Sequence, residues 1–181
     1  GTTQKDLVLR CQQGDTTSFK QLYRRYQQRV RGTLYQLCGN EILDDLEQEV
    51  FLRVWKGLPK LRQPDYFSTW LYRITWNVAT DKRRQFAQNM SSADDSSIFH
   101  LTQSRPEDTP DLMRLHYQDL VQQGLQTLSL EHRAVLVLHD LEDVPQKEVA
   151  KILKLPVGTV KSRLFYARNQ MRKFLQQQGA L

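Results

Sequence analysis

The sequence predicts an all-α protein: two small helical domains joined by a flexible acidic linker, the C-terminal one a helix-turn-helix. Three observations lead there. Apolar residues recur at i, i+3 and i+4 over most of the chain, with no persistent period-2 alternation. From Gln88 to Asp111 the composition turns to Ser, Asp, Thr and Pro with few apolar residues, too few to offset the entropy of ordering them. Near the C-terminus two helical patterns flank a break at Lys154-Leu155-Pro156, which are the dimensions of a helix-turn-helix. The expected units are therefore residues 1–87, a linker at 88–111, and residues 112–181.

The first helix is expected from Thr3 to Gln13, stopped by Gly14. Asp15 and Thr16 offer N-caps for a second, which carries Phe19, Leu22, Tyr23, Tyr26, Val30, Leu34 and Leu37 on one broad face. Gly39-Asn40 breaks it. A third begins near Leu43 and spaces Leu43, Leu46, Val50, Val54 and Leu58 for burial, leaving Asp45, Gln48, Glu49, Leu52, Arg53 and Lys56 outside. Pro59 and Pro64 bracket a loop. The fourth helix, Phe67 to Gln85, is aromatic at its start and basic at its end. Beyond the linker, Leu112–Leu128, Leu130–Leu141, Pro145–Leu153 and Val157–Leu175 read as four more.

Composition excludes several classes. No apolar run approaches the roughly 20 residues needed to cross a bilayer, and Gly1-Thr2-Thr3 does not open a secretory signal. Two cysteines, Cys11 and Cys38, are too few for a disulfide framework, and with scattered histidines they form no metal-ligand spacing. No metal, cofactor, catalytic residue or small-molecule substrate is expected, because phosphate loops and nucleophile motifs are absent. A cytoplasmic location is expected.

Charge is more telling. The net charge is +6, but residues 1–87 carry +6, residues 88–111 −4, residues 112–145 −3 and residues 146–181 +7. Two basic blocks around an acidic middle favour a polyanion contacted at two places.

In the last helix Val160, Leu164, Ala167 and Met171 fall on one stripe, and Lys161, Phe165, Arg168 and Arg172 on another about a quarter-turn away. Such a helix can pack on its own domain while entering a major groove. Its cations can reach guanine edges or phosphates, and Thr159 and Ser162 phosphates near the helix start. An amphipathic helix docking on an acidic protein is the competing reading. In the fourth helix, aromatic residues alternate with Arg and Asn, as single-stranded DNA requires: rings stack on unpaired bases, Asn reads an edge, cations track phosphates. Arg73, Trp76, Asn77, Lys82, Arg83 and Arg84 are the expected exposed members, with Trp70, Leu71 and Ile74 in the core and the 62–66 loop as one wall of a base pocket.

At this point a resemblance enters. Pro156-Val157-Gly158-Thr159-Val160-Lys161-Ser162-Arg163-Leu164, with Ala167-Arg168 and the upstream Leu128–Leu136 stretch, resembles the C-terminal signature of extracytoplasmic-function (ECF) sigma factors. Gln13-Gly14-Asp15, the Asp45–Trp55 helix and Phe67–Asn77 with Asp81 and Arg83-Arg84 resemble that family's N-terminal half. The likeness covers nearly the whole chain, with both halves in order. It implies a non-enzymatic subunit that joins bacterial core RNA polymerase, recognises −35 and −10 promoter elements and promotes melting. It further implies −35 contacts from Thr159, Lys161, Ser162, Arg163, Phe165, Tyr166, Arg168 and Arg172, and −10 contacts from Arg73, Trp76, Asn77, Lys82, Arg83 and Arg84, with Asn77 at the flipped base. Asp45, Gln48, Glu49, Leu52 and Arg53 would grip the polymerase clamp, an anti-sigma protein would hold the factor inactive, and the acidic tether would mimic a polyanion. The chain departs from the family at Glu47, where an apolar residue is usual, at Gln63-Pro64-Asp65, where glycine is common, and at Tyr166, often basic. Without the resemblance, a stand-alone helix-turn-helix regulator remains the alternative.

Overall fold

The computed structural model describes residues 3–90 and 112–181; the tether carboxylates Asp94, Asp95, Glu107 and Asp108 lie outside the described residues. Helix α1 (Gln4–Gln12) opens on Thr3, whose hydroxyl accepts from the Asp6 amide. Gly14 then turns the chain at φ 91°, a conformation glycine adopts without steric cost. Asp15 caps α2 (Thr16–Cys38), accepting from the Thr17 and Ser18 amides and the Ser18 hydroxyl. These bonds, the Ser18 hydroxyl foremost, hold its carboxyl below the usual carboxylate range.

Helix α3 (Leu43–Gly57) runs into two short 3₁₀ turns, Leu58–Lys60 and Pro64–Tyr66, built on the two prolines. The side-chain amide of Gln12 ties this segment to α1 by donating to the Leu58 and Leu61 carbonyls. Helix α4 (Phe67–Met90) outlasts its expected end at Gln85 and takes in the first three residues assigned to the linker. Gln85, Ala87, Gln88 and Met90 are good helix formers, and neither Gly nor Pro stands before Ser91.

In the second half, α5 (Leu112–Thr127) precedes α6 (Leu130–Val135), which Ser129 caps by accepting from the His132 amide. The chain stays helical from Leu136 to Leu141 but widens to a π-helical pattern. Helices α7 (Gln146–Leu153) and α8 (Val157–Gln177) complete the helix-turn-helix. Lys154 takes the left-handed conformation at φ 56° in the turn between them, in the helix C-terminal place where glycine is commoner. Among the described residues there is no strand.

Two clusters of buried side chains hold these helices. One gathers Leu7, Leu22, Leu34, Val50, Leu58 and Phe67 from α1 to α4. Edge-to-face pairs, Phe19 on Trp55 and Tyr23 on Phe51 with centroids under 5 Å apart, zip α2 to α3. The other gathers Leu125, Ala134, Val149, Ile152, Val160 and Leu164 from the second half. It also includes Leu37 and Ala79 of the first half, with Tyr72 and Trp76 packed on it. The halves therefore share a core instead of being joined by the tether alone.

Candidate nucleic-acid and protein interfaces

The helix-turn-helix places its cations as its sequence spacing suggests. Val160, Leu164 and Ala167 are buried, while Lys161, Ser162, Phe165, Tyr166, Arg168 and Arg172 are exposed and Thr159 and Arg163 half-buried. Phe165 and Tyr166, 63% and 59% exposed, meet edge to face at 5.6 Å, and the Tyr166 ring stacks toward His132. The Ser162 hydroxyl is turned back to the Thr159 carbonyl at 3.0 Å. Arg168 makes a bidentate pair with Asp140 at 2.7 and 2.8 Å, so DNA would have to compete for it.

On α4 the placement is mixed. Leu71 is buried and Trp70 and Ile74 pack on the first cluster. Asn77, Arg83 and Arg84 are exposed, and Lys82 lies 4.6 Å above the Phe86 ring. Arg73 is half-buried. Trp76, expected outside, is half-buried against the second cluster. Arg83 is ion-paired with Glu131 of α6.

The outer face of α3 divides. Asp45, Gln48 and Leu52 line an open groove of about 580 Å³ between α2 and α3, floored by Phe19, Phe51 and Trp55. Leu52 and Trp55 are 48% and 40% exposed. Glu49 and Arg53 do not line it: Arg53 pairs with Glu49 at 2.9 Å and with Asp81 of α4 at 2.9 Å. Glu47, the departure from the apolar pattern, is buried beside the groove between the Tyr23 hydroxyl at 3.1 Å and Arg31 at 2.8 Å. Among the described residues no His, Cys, Asp or Glu cluster has the makings of a metal site, and no helix is long and apolar enough to cross a membrane.

Residues 22–88 match the family description of Sigma-70 region 2, and residues 118–171 match Sigma-70, region 4. The ECF RNA polymerase sigma-E factor of Haemophilus influenzae is 32% identical, covering 96% of this chain and 96% of its own length. The chain belongs to the ECF sigma factors. The RNA polymerase sigma-H factor of Pseudomonas aeruginosa is 30% identical over 95% of this sigma factor and 93% of its own length. Among solved structures, CnrH in complex with the cytosolic domain of CnrY superposes with a TM-score of 0.70 at 25% identity, covering 96% of this chain and 97% of its own. RpoE of Bartonella quintana, solved with the anti-sigma factor NepR, shares the fold at a TM-score of 0.73 and 22% identity, over 87% and 96% of the two chains. The function follows from the family: this is a sigma factor, which directs RNA polymerase to promoters.

A second set of residues escaped the sequence reading. The C-terminal turn of α2 presents three backbone carbonyls to the second half of the sigma factor. The Gln122 side chain donates to Tyr35 at 2.8 Å, Gln126 to Gln36 at 3.3 Å, and the Arg133 guanidinium to Leu37. Arg133 also donates to the Leu125 and Leu128 carbonyls, and burial pulls its pKa down. Glu142 reaches across to Thr33 of α2 and the Tyr72 hydroxyl of α4. Burial raises its carboxyl, and its Oε2 has no hydrogen bond. Cys38, beside Arg133, is pushed up to about 11, mainly by burial.

Proposed function

We propose that this sigma factor divides its work between two DNA-contacting faces and one protein-contacting groove. The −35 duplex is read by the outer face of α8, from Thr159, Lys161, Ser162 and Arg163 through Phe165 and Tyr166 to Arg168 and Arg172. The melted −10 strand is captured on α4, with Asn77 reading the extruded base, Arg73 and Trp76 flanking it, and Lys82, Arg83 and Arg84 following the phosphates. Stacking contributes about 1–3 kcal/mol per base, enough for a few captured bases to offset a short bubble at about 1.4 kcal/mol per step. Polymerase binds the α2–α3 groove, centred on Leu52 with Asp45 and Gln48, while Glu49 and Arg53 join from the flank of α3, where Arg53 is held to Asp81 of α4. The observation that carries this reading is an exposed Asn77 flanked by aromatic and cationic residues, on a chain whose other half exposes a separate cationic stripe.

The units proposed are 1–87 for polymerase and −10 contacts, 88–111 as an acidic tether, and 112–181 for the −35 element. The protein catalyses no reaction of its own and acts in the cytoplasm. An anti-sigma partner, such as the one solved with Bartonella quintana RpoE, would compete for the same apolar groove.

Asn77→Ala tests the division. With core polymerase it should retain closed-complex binding and lose opening by an order of magnitude, read as permanganate reactivity of unpaired thymines. Arg163→Ala should weaken closed-complex formation first. Equal effects of both substitutions on both steps would overturn the assignment.

A further inference from the structure

Along Val157–Arg168 the buried stripe of Val160, Leu164 and Ala167 fixes which way α8 faces. At about 100° per residue, Gly158, Ser162, Phe165 and Tyr166 fall within about 55° of the line opposite that stripe. The cations Lys161, Arg163 and Arg168 fall about 85–115° from the same line, on the two flanks. Gly158 carries no side chain, and the Ser162 hydroxyl donates back to the Thr159 carbonyl at 3.0 Å. The most outward groups of this face are therefore two uncharged rings, Phe165 and Tyr166, both exposed.

We propose that Tyr166 reads one thymine of the −35 element through its C5-methyl group, and that His132 of α6 is the positioning residue that holds the ring. This rests on the reading of α8 as the −35 helix. Major-groove chemistry selects the base. Guanine presents acceptors there, cytosine a donor and adenine one of each, whereas thymine alone adds an apolar group to its edge. A tyrosine ring can cover that methyl. Its single hydroxyl cannot match the two acceptors of guanine as a guanidinium fork does. A guanine pressed against the ring would leave N7 and O6 short of donors once water is excluded, which is unfavourable. The same contact therefore attracts thymine and rejects guanine.

The Tyr166 ring is set before DNA arrives. Phe165 meets it edge to face, with centroids 5.6 Å apart and planes at 79°. The His132 imidazole lies closer to parallel with it, at 6.4 Å and 29°. Both separations fall in the range where aromatic rings attract one another. His132 is itself fixed: it is half-buried in the first turn of α6, and its amide donates to the Ser129 hydroxyl. A ring held by its own helix and by a second element has little rotamer freedom left to lose on binding. The flanking cations then supply phosphate contacts, which position the helix without naming a base.

The test uses core polymerase loaded with the full chain, on a matched promoter. Each thymine of the −35 element, on either strand, is replaced in turn by deoxyuridine, which keeps the pairing and lacks only the methyl. Closed-complex affinity is read by competition against the unmodified promoter. One replacement should weaken wild type about fourfold, the factor for one buried methyl-sized group. Tyr166→Ala should abolish that penalty, Tyr166→Phe should restore it, and His132→Ala should shrink it with the ring still present. Tyr166→Arg should exchange thymine for guanine at the same position when the −35 element is randomised and bound sequences are recovered. Each penalty is a ratio within one protein, so a variant that folds less completely leaves it unmoved. A wild type indifferent to every deoxyuridine, or a penalty that survives Tyr166→Ala, overturns the proposal. So does a Tyr166→Phe protein that behaves as Tyr166→Ala, since the hydroxyl would then be the reader. An unchanged penalty in His132→Ala overturns the positioning role. Scrambling the whole −35 element checks α8 separately. If wild type ignores the scramble, the −35 reading itself fails; if the scramble weakens binding but no deoxyuridine does, only the thymine contact fails.

Discussion

Glu47 shows how one residue can break a family pattern without breaking the fold. Its carboxylate is buried on α3 but bonded to Tyr23 and Arg31, and Arg31 also binds Asp44 at 2.6 Å. Removing one partner of a buried charge is worse than removing the charge. Arg31→Ala should therefore lower the midpoint of chemical denaturation, because it strands the buried Glu47 carboxylate. Glu47→Met should come out near neutral, because half-exposed Arg31 keeps Asp44 and water. Equal losses from both substitutions would mean that the ion pair is not what holds Glu47 there.

At the scale of elements, two glycines carry opposite expectations. Gly32 sits inside α2 with open space where a Cβ would go, so Gly32→Ala should stabilise by about 0.5–1 kcal/mol. Gly124 lies where α5 crosses α8, and a Cβ there would meet Met171 Sδ at 2.5 Å and Phe174 Cδ1 at 2.9 Å. Gly124→Val should cost about 1–3 kcal/mol by overpacking. Thermal melting that moved both variants the same way would contradict this packing. Helix existence and core faces were legible in the sequence because apolar spacing and caps are local: Asp15 and the Val160–Leu164–Ala167 stripe act as their positions suggest. The end of α4 was less so, because polar residues such as Gln88 and Asn89 suit a helix and a linker alike. Burial of Trp76, and the partnering of Arg53 with Asp81, come from contacts between elements, which no local pattern encodes.

Over the whole molecule the charge asymmetry finds a structural meaning. Acidic residues of the second half, Glu131 and Asp140, pair with Arg83 and Arg168, two cations assigned to DNA. Exposed ion pairs of this kind contribute little, about 0–1 kcal/mol, so phosphates can displace them. The shared core around Leu37, Ala79 and Trp76 is the larger barrier to spreading the two faces along a promoter. The most direct test of the central claim is run-off transcription with purified core RNA polymerase on a matched promoter, alongside duplex binding by the chain alone. The account predicts specific transcripts only when core and chain are combined, and weak duplex binding by the chain by itself. Nanomolar binding of the free chain to a duplex operator, with core polymerase unaffected by its presence, would contradict it.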